Sequence, residues 1–246
     1  MVINMKIIDA VWEKKNLGVQ TIEIVVEKDD VPEIILPRIA QIDAEYTVVK
    51  IPSDYVPVTH NLFRLGFIFM ETMNCISNNL SLRPLTKQKA EIVANTDFTK
   101  MTDQDFEMMC ARILKEKIYR TDRIARDPYF NLEQANQRYV NWLRSERSRG
   151  AEIYKYVYQG DNIGYLCFKH IGDGVYEDFL SGIYSEFAGK GLAVSIPYKV
   201  DEYVKKCGGR RIITHISSTN VRSLSSRINN GYVIDSSNYV FSKHSY

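Results

Sequence analysis

Ala188-Gly189-Lys190-Gly191-Leu192-Ala193 decides the reading of this chain because of what stands on either side of it. An apolar stretch, Leu180 to Phe187, precedes it with the character of a strand. An amphipathic helix follows, with Ile196, Val200, Tyr203, Val204 and Cys207 at helical spacing. Two glycines and a small residue that turn a strand sharply into a helix leave several backbone N–H groups unpaired and aimed at one point. Such a point attracts an anion, most often phosphate. A tight turn without a ligand uses the same residues, so the Gly-x-Gly run needs support from its surroundings.

Downstream, Gly208-Gly209 stop the helix before a strand at Arg211 to Ile216, and Asn220 caps a short helix carrying Val221, Leu224 and Ile228 on one side. That helix ends at Gly231-Tyr232, and a last strand runs to Phe241. Upstream, Ile153 to Tyr158, Ile163 to Lys169 and Tyr176 to Ser185 read as strands. Gly160-Asp161-Asn162 and Gly172-Asp173-Gly174 join them, which predicts an antiparallel meander. A nucleotide-hydrolase loop requires Gly-Lys-Ser/Thr, whereas Gly191 is followed by Leu192. A dinucleotide fold requires a third glycine and a later acidic residue after a parallel strand, and both are missing. Pro197 fits poorly two turns into a helix that begins at Gly189, so the helix either begins late or bends there.

This order of elements resembles the Gcn5-related N-acetyltransferase (GNAT) superfamily. Its pyrophosphate loop usually reads Arg/Gln-x-x-Gly-x-Gly/Ala, and here Ala188 stands where the Arg or Gln is usual. Asn220, with the short helix and Gly-aromatic pair behind it, is similar to the family's second signature. The resemblance implies an α/β (α+β) fold with a mixed, mostly antiparallel twisted sheet flanked by helices. It also implies an acyl-CoA (coenzyme A) donor, with backbone at Ile183, Tyr184 and Ser185 receiving the thioester and pantetheine. Ala188, Gly189, Lys190, Gly191, Leu192 and Ala193 would hold the pyrophosphate, and Asn220 and Ser223 would flank the arm. Within the superfamily, Trp12 to Val19, Val48-Val49-Lys50, Leu62 to Phe67 with Glu71-Thr72, and Tyr139 to Leu143 are similar to bacterial dTDP-fucosamine N-acetyltransferases.

The first half reads as a smaller α/β unit over residues 1–95, and residues 96–246 as the acyl-CoA-binding catalytic domain. Strands are predicted at Thr21 to Val26 and Tyr46 to Ile51, and a helix end running through Gly66 into another strand at Phe63 to Phe69. Residues 78–102 are polar and broken by Pro84, which predicts a linker or exposed crossing. Helices follow around Phe106, Met109, Cys110 and Ile113, and from Asn131 through Ala135, Tyr139, Trp142 and Leu143. Leu65-Gly66-Phe67 has the form of Asn230-Gly231-Tyr232. The first half is then a degenerate copy without its own phosphate turn, or the match is coincidence, since glycine after a helix is common.

The chain has 246 residues, 45% hydrophobic and 11% aromatic, enough for a sizeable core. Its formal net charge of +2 creates no general field for nucleic acid or a membrane surface. Cys75, Cys110, Cys167 and Cys207 stand far apart without metal-ligand spacing and are expected as reduced core thiols, with no metal. Neither a signal peptide nor an apolar run of membrane-spanning length is visible, which places the expected compartment in the cytoplasm.

Acyl transfer to an amine needs a neutral amine, a polarised carbonyl and a route for the departing thiolate. Glu177 and Asp178 are the candidate bases by position, with one of the two expected to face the cleft, and His170 and His215 stand behind them. GNAT enzymes usually carry a Tyr acid seven residues after the capping Asn, and here that place holds Arg227. Arg227 either stabilises developing negative charge or merely covers the helix surface. Tyr119, Arg123 and Tyr129, with Arg120 and Arg126, are candidates to hold the acceptor or equally a helix surface.

The resemblance implies acylation of the amino group of a nucleotide-linked 3- or 4-amino deoxysugar, for surface polysaccharide such as lipopolysaccharide O-antigen. The acyl group would be acetyl or a longer chain such as 3-hydroxybutyryl. Relatives often self-associate, so a homodimer is an open expectation. The alternatives are acylation of a protein N-terminus or small amine, and a non-catalytic coenzyme A sensor. An acidic groove would favour cationic acceptors, and stacking aromatics with Arg a nucleotide sugar, toward which Tyr119, Arg120, Arg123, Arg126 and Tyr129 tilt the reading.

Overall fold

The meander and the strand, glycine turn, helix, strand order expected from the sequence are present, but they are built into a sheet that runs from β1 to β10. A computed structural model describes residues 4–245. In chain order the elements are β1 (Lys6–Asp9), α1 (Val11–Leu17), β2 (Thr21–Val25), α2 (Pro32–Ala40), β3 (Tyr46–Pro52), α3 (Val56–Arg64) and β4 (Ile68–Asn78). There follow α4 (Lys87–Ala94), β5 (Thr96–Lys100), α5 (Asp103–Glu116), α6 (Arg123–Arg126), α7 (Leu132–Ser148), β6 (Glu152–Tyr158), β7 (Asp161–Gly172) and β8 (Val175–Ile183). The chain ends with α8 (Ser195–Lys206), β9 (Arg211–Ser217), α9 (Val221–Asn229) and β10 (Val233–His244). The strands lie in the order β1-β2-β3-β10-β4-β9-β8-β7-β6-β5. All neighbours are antiparallel except β2–β3 and β8–β9.

The middle of that order is an exchange. β10, the last strand of the chain, pairs with β3 and β4, while β4, the last strand of the first half, pairs with β9. Each half therefore has its parallel pair extended by a strand from the other half. The connections are alike in detail. α3 ends at Leu65 and Gly66 (φ +84°), with Phe67 N–H donating to Leu62 O at 3.0 Å and Gly66 N–H to Phe63 O at 3.1 Å. α9 ends at Asn230 and Gly231 (φ +102°), with Tyr232 N–H donating to Arg227 O and Gly231 N–H to Ile228 O, both at 3.1 Å. Both ends are Schellman motifs, which need a left-handed residue that glycine adopts without a Cβ clash.

Helices cover both faces. On one, α8 lays Ile196, Val200 and Val204 and α9 lays Leu224 and Ile228 over Ile212, Ile216, Leu166 and Phe168, and α2 and α3 lay Ile35, Ile39, Val58 and Leu62 over Ile24, Val49 and Phe241. On the other, α5 and α7 bury Phe106, Met109, Ile113, Val140 and Leu143 against Ile153, Tyr165 and Cys167. Ala135 of α7 and Ile124 of α6 continue that layer over Tyr46 and Val48. α7 thus bridges the halves. Asn131 fixes its start, accepting from Gln134 N–H while the Gln134 side chain accepts from Asn131 N–H.

Several sequence readings change, and the choice left open at Pro197 is decided. Residues 78–102 are not an unstructured crossing, because α4 and the edge strand β5 form there, with Phe98 stacked on Tyr154 at 4.3 Å. The strand expected to reach Phe187 ends at Ile183, and residues Ser185–Phe187 form a 3₁₀ turn. The helix after the glycines begins late, so Pro197 falls in its first turn, where its missing N–H leaves no bond unmade. Cys110 and Cys167 are core thiols as expected, whereas Cys75 is half-buried and Cys207 exposed.

Candidate functional site

β8 and β9 run side by side only from Val175↔Arg211 to Glu177↔Ile213, and then part. β9 continues on β4 as far as Ser217, while β8 stays on β7 as far as Ile183, with a bulge at Phe179. Bulges bend the strand that carries them, which opens the gap further. Tyr184 N–H donates to Ile163 O at 3.0 Å, and alternate residues of an antiparallel strand share that orientation. The main-chain groups of Ser181 and Ile183 therefore face away from β7, into the gap. The amides of Tyr184 and Ser185, the other two chosen from the sequence, are engaged instead, by Ile163 and by the Glu116 carboxylate at 3.2 Å.

The glycine turn stands beyond the end of β8. Gly189 (φ +80°) and Gly191 (φ +78°) are both left-handed, and a Cβ at either would meet nothing within 4 Å. Backbone conformation is what glycine supplies there. Ala188, Lys190 and Val194 donate their N–H groups to Ser185, Phe187 and Gly191. The amides of Gly189, Gly191, Leu192 and Ala193 have no hydrogen-bond partner among the described residues, and all of these residues but Leu192 are exposed. At the other side of the gap Asn220 caps α9, its side chain accepting from Ser223 N–H at 3.3 Å.

A cleft of about 880 Å³ opens on the face carrying α1 and α7, between the halves and over the gap. β8 lines it from Glu177 to Ser181, β9 from Thr214 to Ser217, and α9 with Asn220, Ser223 and Arg227. Glu177 and Asp178 both border it, not one of the two, because the gap runs along the strand edge and exposes both faces of it. The stretches that carried the sequence resemblance also converge here: Trp12, Lys15 and Asn16 from α1, Lys50 from β3, Glu71 from β4, and Tyr139, Asn141 and Trp142 from α7. Asn141 donates to Asn16 at 2.7 Å, tying α7 to α1.

Several chosen side chains are already committed. Arg227 is buried and ion-paired with Asp178, and donates to the Tyr232 hydroxyl at 3.0 Å. It does not cover the helix surface. Its guanidinium keeps its charge, since burial works against it and Asp178 more than offsets that. Glu177 lies 3.3 Å from His215 Nδ1 and 3.4 Å from Lys169, and the His215 hydrogen bond holds its carboxyl below the ordinary range. Hydrogen bonds to Cys75 and Glu177 raise His215 to about 9. Arg123 lies on the cleft floor bound to Glu13 and Glu23, both at 3.0 Å, and Arg138 also grips Glu13 at 2.6 Å. Tyr119 lines the cleft with its ring stacked 3.9 Å from Tyr139. Tyr129 is not part of the cleft, being exposed and packed 4.1 Å from His244 at the end of β10.

Glu71 was quoted in the sequence without a role, and the structure places it on the cleft floor, 3% exposed. A bulge at Met70, between the pairs Val240↔Glu71 and Phe241↔Phe69, aims it there. Its Oε2 has no hydrogen-bond partner among the described residues. Burial raises its carboxyl above the ordinary range, with hydrogen bonding from Ser217 acting in the opposite direction. No pattern in the sequence distinguishes this Glu from a surface one, because its burial depends on the strand exchange.

Among the described residues no cluster of three His, Cys, Asp or Glu is arranged to hold a metal, and no helix is long and apolar enough to cross a membrane. No protein-family model matches the chain, and no curated protein matches it in sequence. Solved structures do. A GCN5-related N-acetyltransferase from Sphaerobacter thermophilus superposes with a TM-score of 0.60 at 11% identity, over 98% of this chain and 76% of that one. A conserved protein of unknown function from Staphylococcus epidermidis gives 0.59 at 13% identity, over 92% and 85%. A tandem GNAT protein from the clavulanic acid biosynthesis pathway gives 0.56 at 12%, over 91% and 75%. The mixed, mostly antiparallel sheet with its parted parallel strands and flanking helices is the fold of the GCN5-related N-acetyltransferases.

Proposed function

We propose that the protein is an acyl-CoA-dependent N-acyltransferase whose donor enters the gap between β8 and β9. The observation that carries this reading is the parting of β8 from β9 after Glu177, with four unpartnered amides at one end and the Asn220 cap at the other. Main-chain groups of Ser181 and Ile183 would pair with the pantetheine amides and thioester oxygen as an added strand does. The amides of Gly189, Gly191, Leu192 and Ala193 would take the diphosphate. Residues 96–246 then hold the donor, and residues 1–95 supply much of the acceptor side, each half completed by the other's last strand.

Acetyl or a longer acyl group fits this reading alike. A nucleotide-linked amino deoxysugar rests on the sequence resemblance, with the Tyr119–Tyr139 stack as a platform for its base. A small cationic amine is the second reading. The commitment of Arg123, Arg138 and Arg227 to carboxylates favours it, since the charge of these three guanidiniums is already balanced within the protein. Thiol release from acetyl-CoA and 3-hydroxybutyryl-CoA with dTDP-4-amino sugars, glucosamine, diamines and dipeptides tests the reading. Turnover with any of them is expected. Tight acetyl-CoA binding with no turnover would replace it with a coenzyme A sensor, and no binding at all would remove it.

A further inference from the structure

We infer that Glu71, assisted by Asp122, is the seat of the acceptor's amino group, and that the acceptor is a compact ammonium-bearing molecule without a phosphate beside the amine. The inference rests on the acyltransferase reading for the chemistry and on the cleft's charge pattern for the ligand class.

The cleft floor is rich in charge but nearly all of it is paired. Arg123 and Arg138 hold Glu13, Arg123 and Lys50 hold Glu23 at 3.0 and 2.7 Å, and Arg227 holds Asp178. Apart from Lys15 of α1 and the Nε of Arg123, the charged atoms left without a partner among the described residues are carboxylate oxygens. Glu71 Oε2 is buried and unpartnered among the described residues. Asp122 uses Oδ1 to cap α6 by accepting from Ala125 N–H at 2.9 Å, and its Oδ2 lies buried beside the Tyr139 phenol with no hydrogen bond of normal geometry among the described residues. A buried carboxylate oxygen with no donor costs free energy unless a ligand supplies one. An ammonium supplies three donors and a charge, and the stacked Tyr119 and Tyr139 with Trp142 and Phe179 wall a space for an apolar or saccharide body.

The same geometry serves the reaction. An ammonium must lose a proton before its nitrogen can attack, and Glu71 is the acceptor for it. The amine nitrogen forms a bond to the thioester carbonyl carbon and sheds its second proton to water in the cleft, the carbon–sulfur bond breaks, and coenzyme A leaves as thiolate. The proton held at Glu71 returns to solvent through the open cleft, where the thiolate is protonated. The groups that face Glu71 are Ser217 of β9, Arg123 and Asp122 of α6, and Tyr139 of α7. Asp122 raises Glu71 and Arg123 lowers it.

Two measurements on Glu71→Gln, Asp122→Asn and the double variant test this. With acetyl-CoA and whichever panel amine the wild type acylates best, E71Q is expected to lose about 100-fold or more in kcat/KM for the amine. Its acidic pH limb should vanish, and acetyl-CoA affinity should stay within about twofold by calorimetry. Independently of turnover, 1,4-diaminobutane is expected to raise the Tm of the wild type and to leave that of the double variant unchanged. Unchanged kcat/KM and pH profile in E71Q, or preferred use of a dTDP-amino sugar over the small amines, overturns the inference while leaving the acyltransferase reading intact. Failure of the wild type to bind acetyl-CoA removes that reading instead, and the diamine shift then decides the cation site alone.

Discussion

Replacing Arg227 with Leu tests whether the residue at the usual position of the GNAT acid is a structural ion-pair partner. Asp178 is 1% exposed and Arg227 4% exposed, and Asp178 Oδ1 has no partner among the described residues even with Arg227 in place. Once the guanidinium is gone, the carboxylate can lower its cost only by taking a proton. A lone buried carboxyl titrates at roughly 8–9 against about 3.9 in the unfolded chain. Its folded pKa is then raised, so stability is lost as pH climbs from the unfolded value toward the folded one, at about 1.4 kcal/mol per pH unit. At pH 7 the loss is about 4 kcal/mol, and at pH 5 about 1.5 kcal/mol, on the same constants. In a chain of this length each kcal/mol moves Tm by roughly 2–4 °C, so R227L should melt at most about 8–16 °C below the wild type at pH 7, because burial already raises the Asp178 carboxyl in the wild type, against Arg227. The gap should narrow to a few degrees at pH 5. A second variant, Asp178→Leu with Arg227→Met, removes both charges and should recover much of the deficit, because apolar replacements of a buried pair are often neutral. Melting by circular dichroism at the two pH values reads all of this. An R227L deficit that is absent, or equal at pH 5 and 7, would refute the reasoning.

Cutting the chain at residue 95 should leave 96–246 without a cooperative melting transition, because β9 and β10 both lose their β4 partner and β10 loses β3 as well; a sharp transition in the isolated piece would argue against the exchange. Gly191→Val forces a left-handed β-branched residue at about 1–2 kcal/mol, so acetyl-CoA should bind roughly 5- to 30-fold more weakly by calorimetry, with unchanged affinity counting against the turn as the diphosphate site. His215 has a folded pKa of about 9 against an ordinary 6.5, so its contribution to stability is complete below 6.5 and lost as pH rises through 9. His215→Gln should therefore be less stable than the wild type at pH 6 and indistinguishable from it near pH 10 in urea titrations; a constant difference would assign the effect to packing.

The second half of the chain was legible because its signals are local. Gly160, Gly172 and Gly174 mark hairpins by conformations that few other residues adopt, and Asn131 and Asn220 mark helix starts by bonds to amides three residues on. What failed was non-local. The segment 78–102 looks polar because β5 is an edge strand and α4 an exposed helix, so neither writes a full apolar period. The commitments of Arg123 and Arg227 were invisible for the same reason, since Glu13, Glu23 and Asp178 stand 110, 100 and 49 residues away. Glu71 is the extreme case. Its neighbours come from β9, α6 and α7, and only the exchanged position of β4 brings them together.

The echo between Leu65-Gly66-Phe67 and Asn230-Gly231-Tyr232 explains why there is one gap and not two. Both halves carry a parallel pair followed by a helix, a Schellman end and a strand given to the other half. In the first half, however, β2 and β3 stay in register from Thr21↔Tyr46 to Val25↔Lys50, and Val26 N–H still donates to Lys50 O at 2.9 Å. No bulge interrupts β2, and Pro32, at the head of α2, follows where the second half has its glycine turn. The position matching Arg227 is Leu62, fully buried in an apolar cluster with Val58 and Ile35. The first half therefore has neither a parted strand pair nor a glycine turn, and in its loop the Asp30 carboxylate takes the N–H groups of Asn4, Met5 and Glu27. Its contribution to the cleft is made instead through α1, Lys50 and the exchanged Glu71, so the half whose parallel strands stay together is the half that lines the opposite side of the cleft.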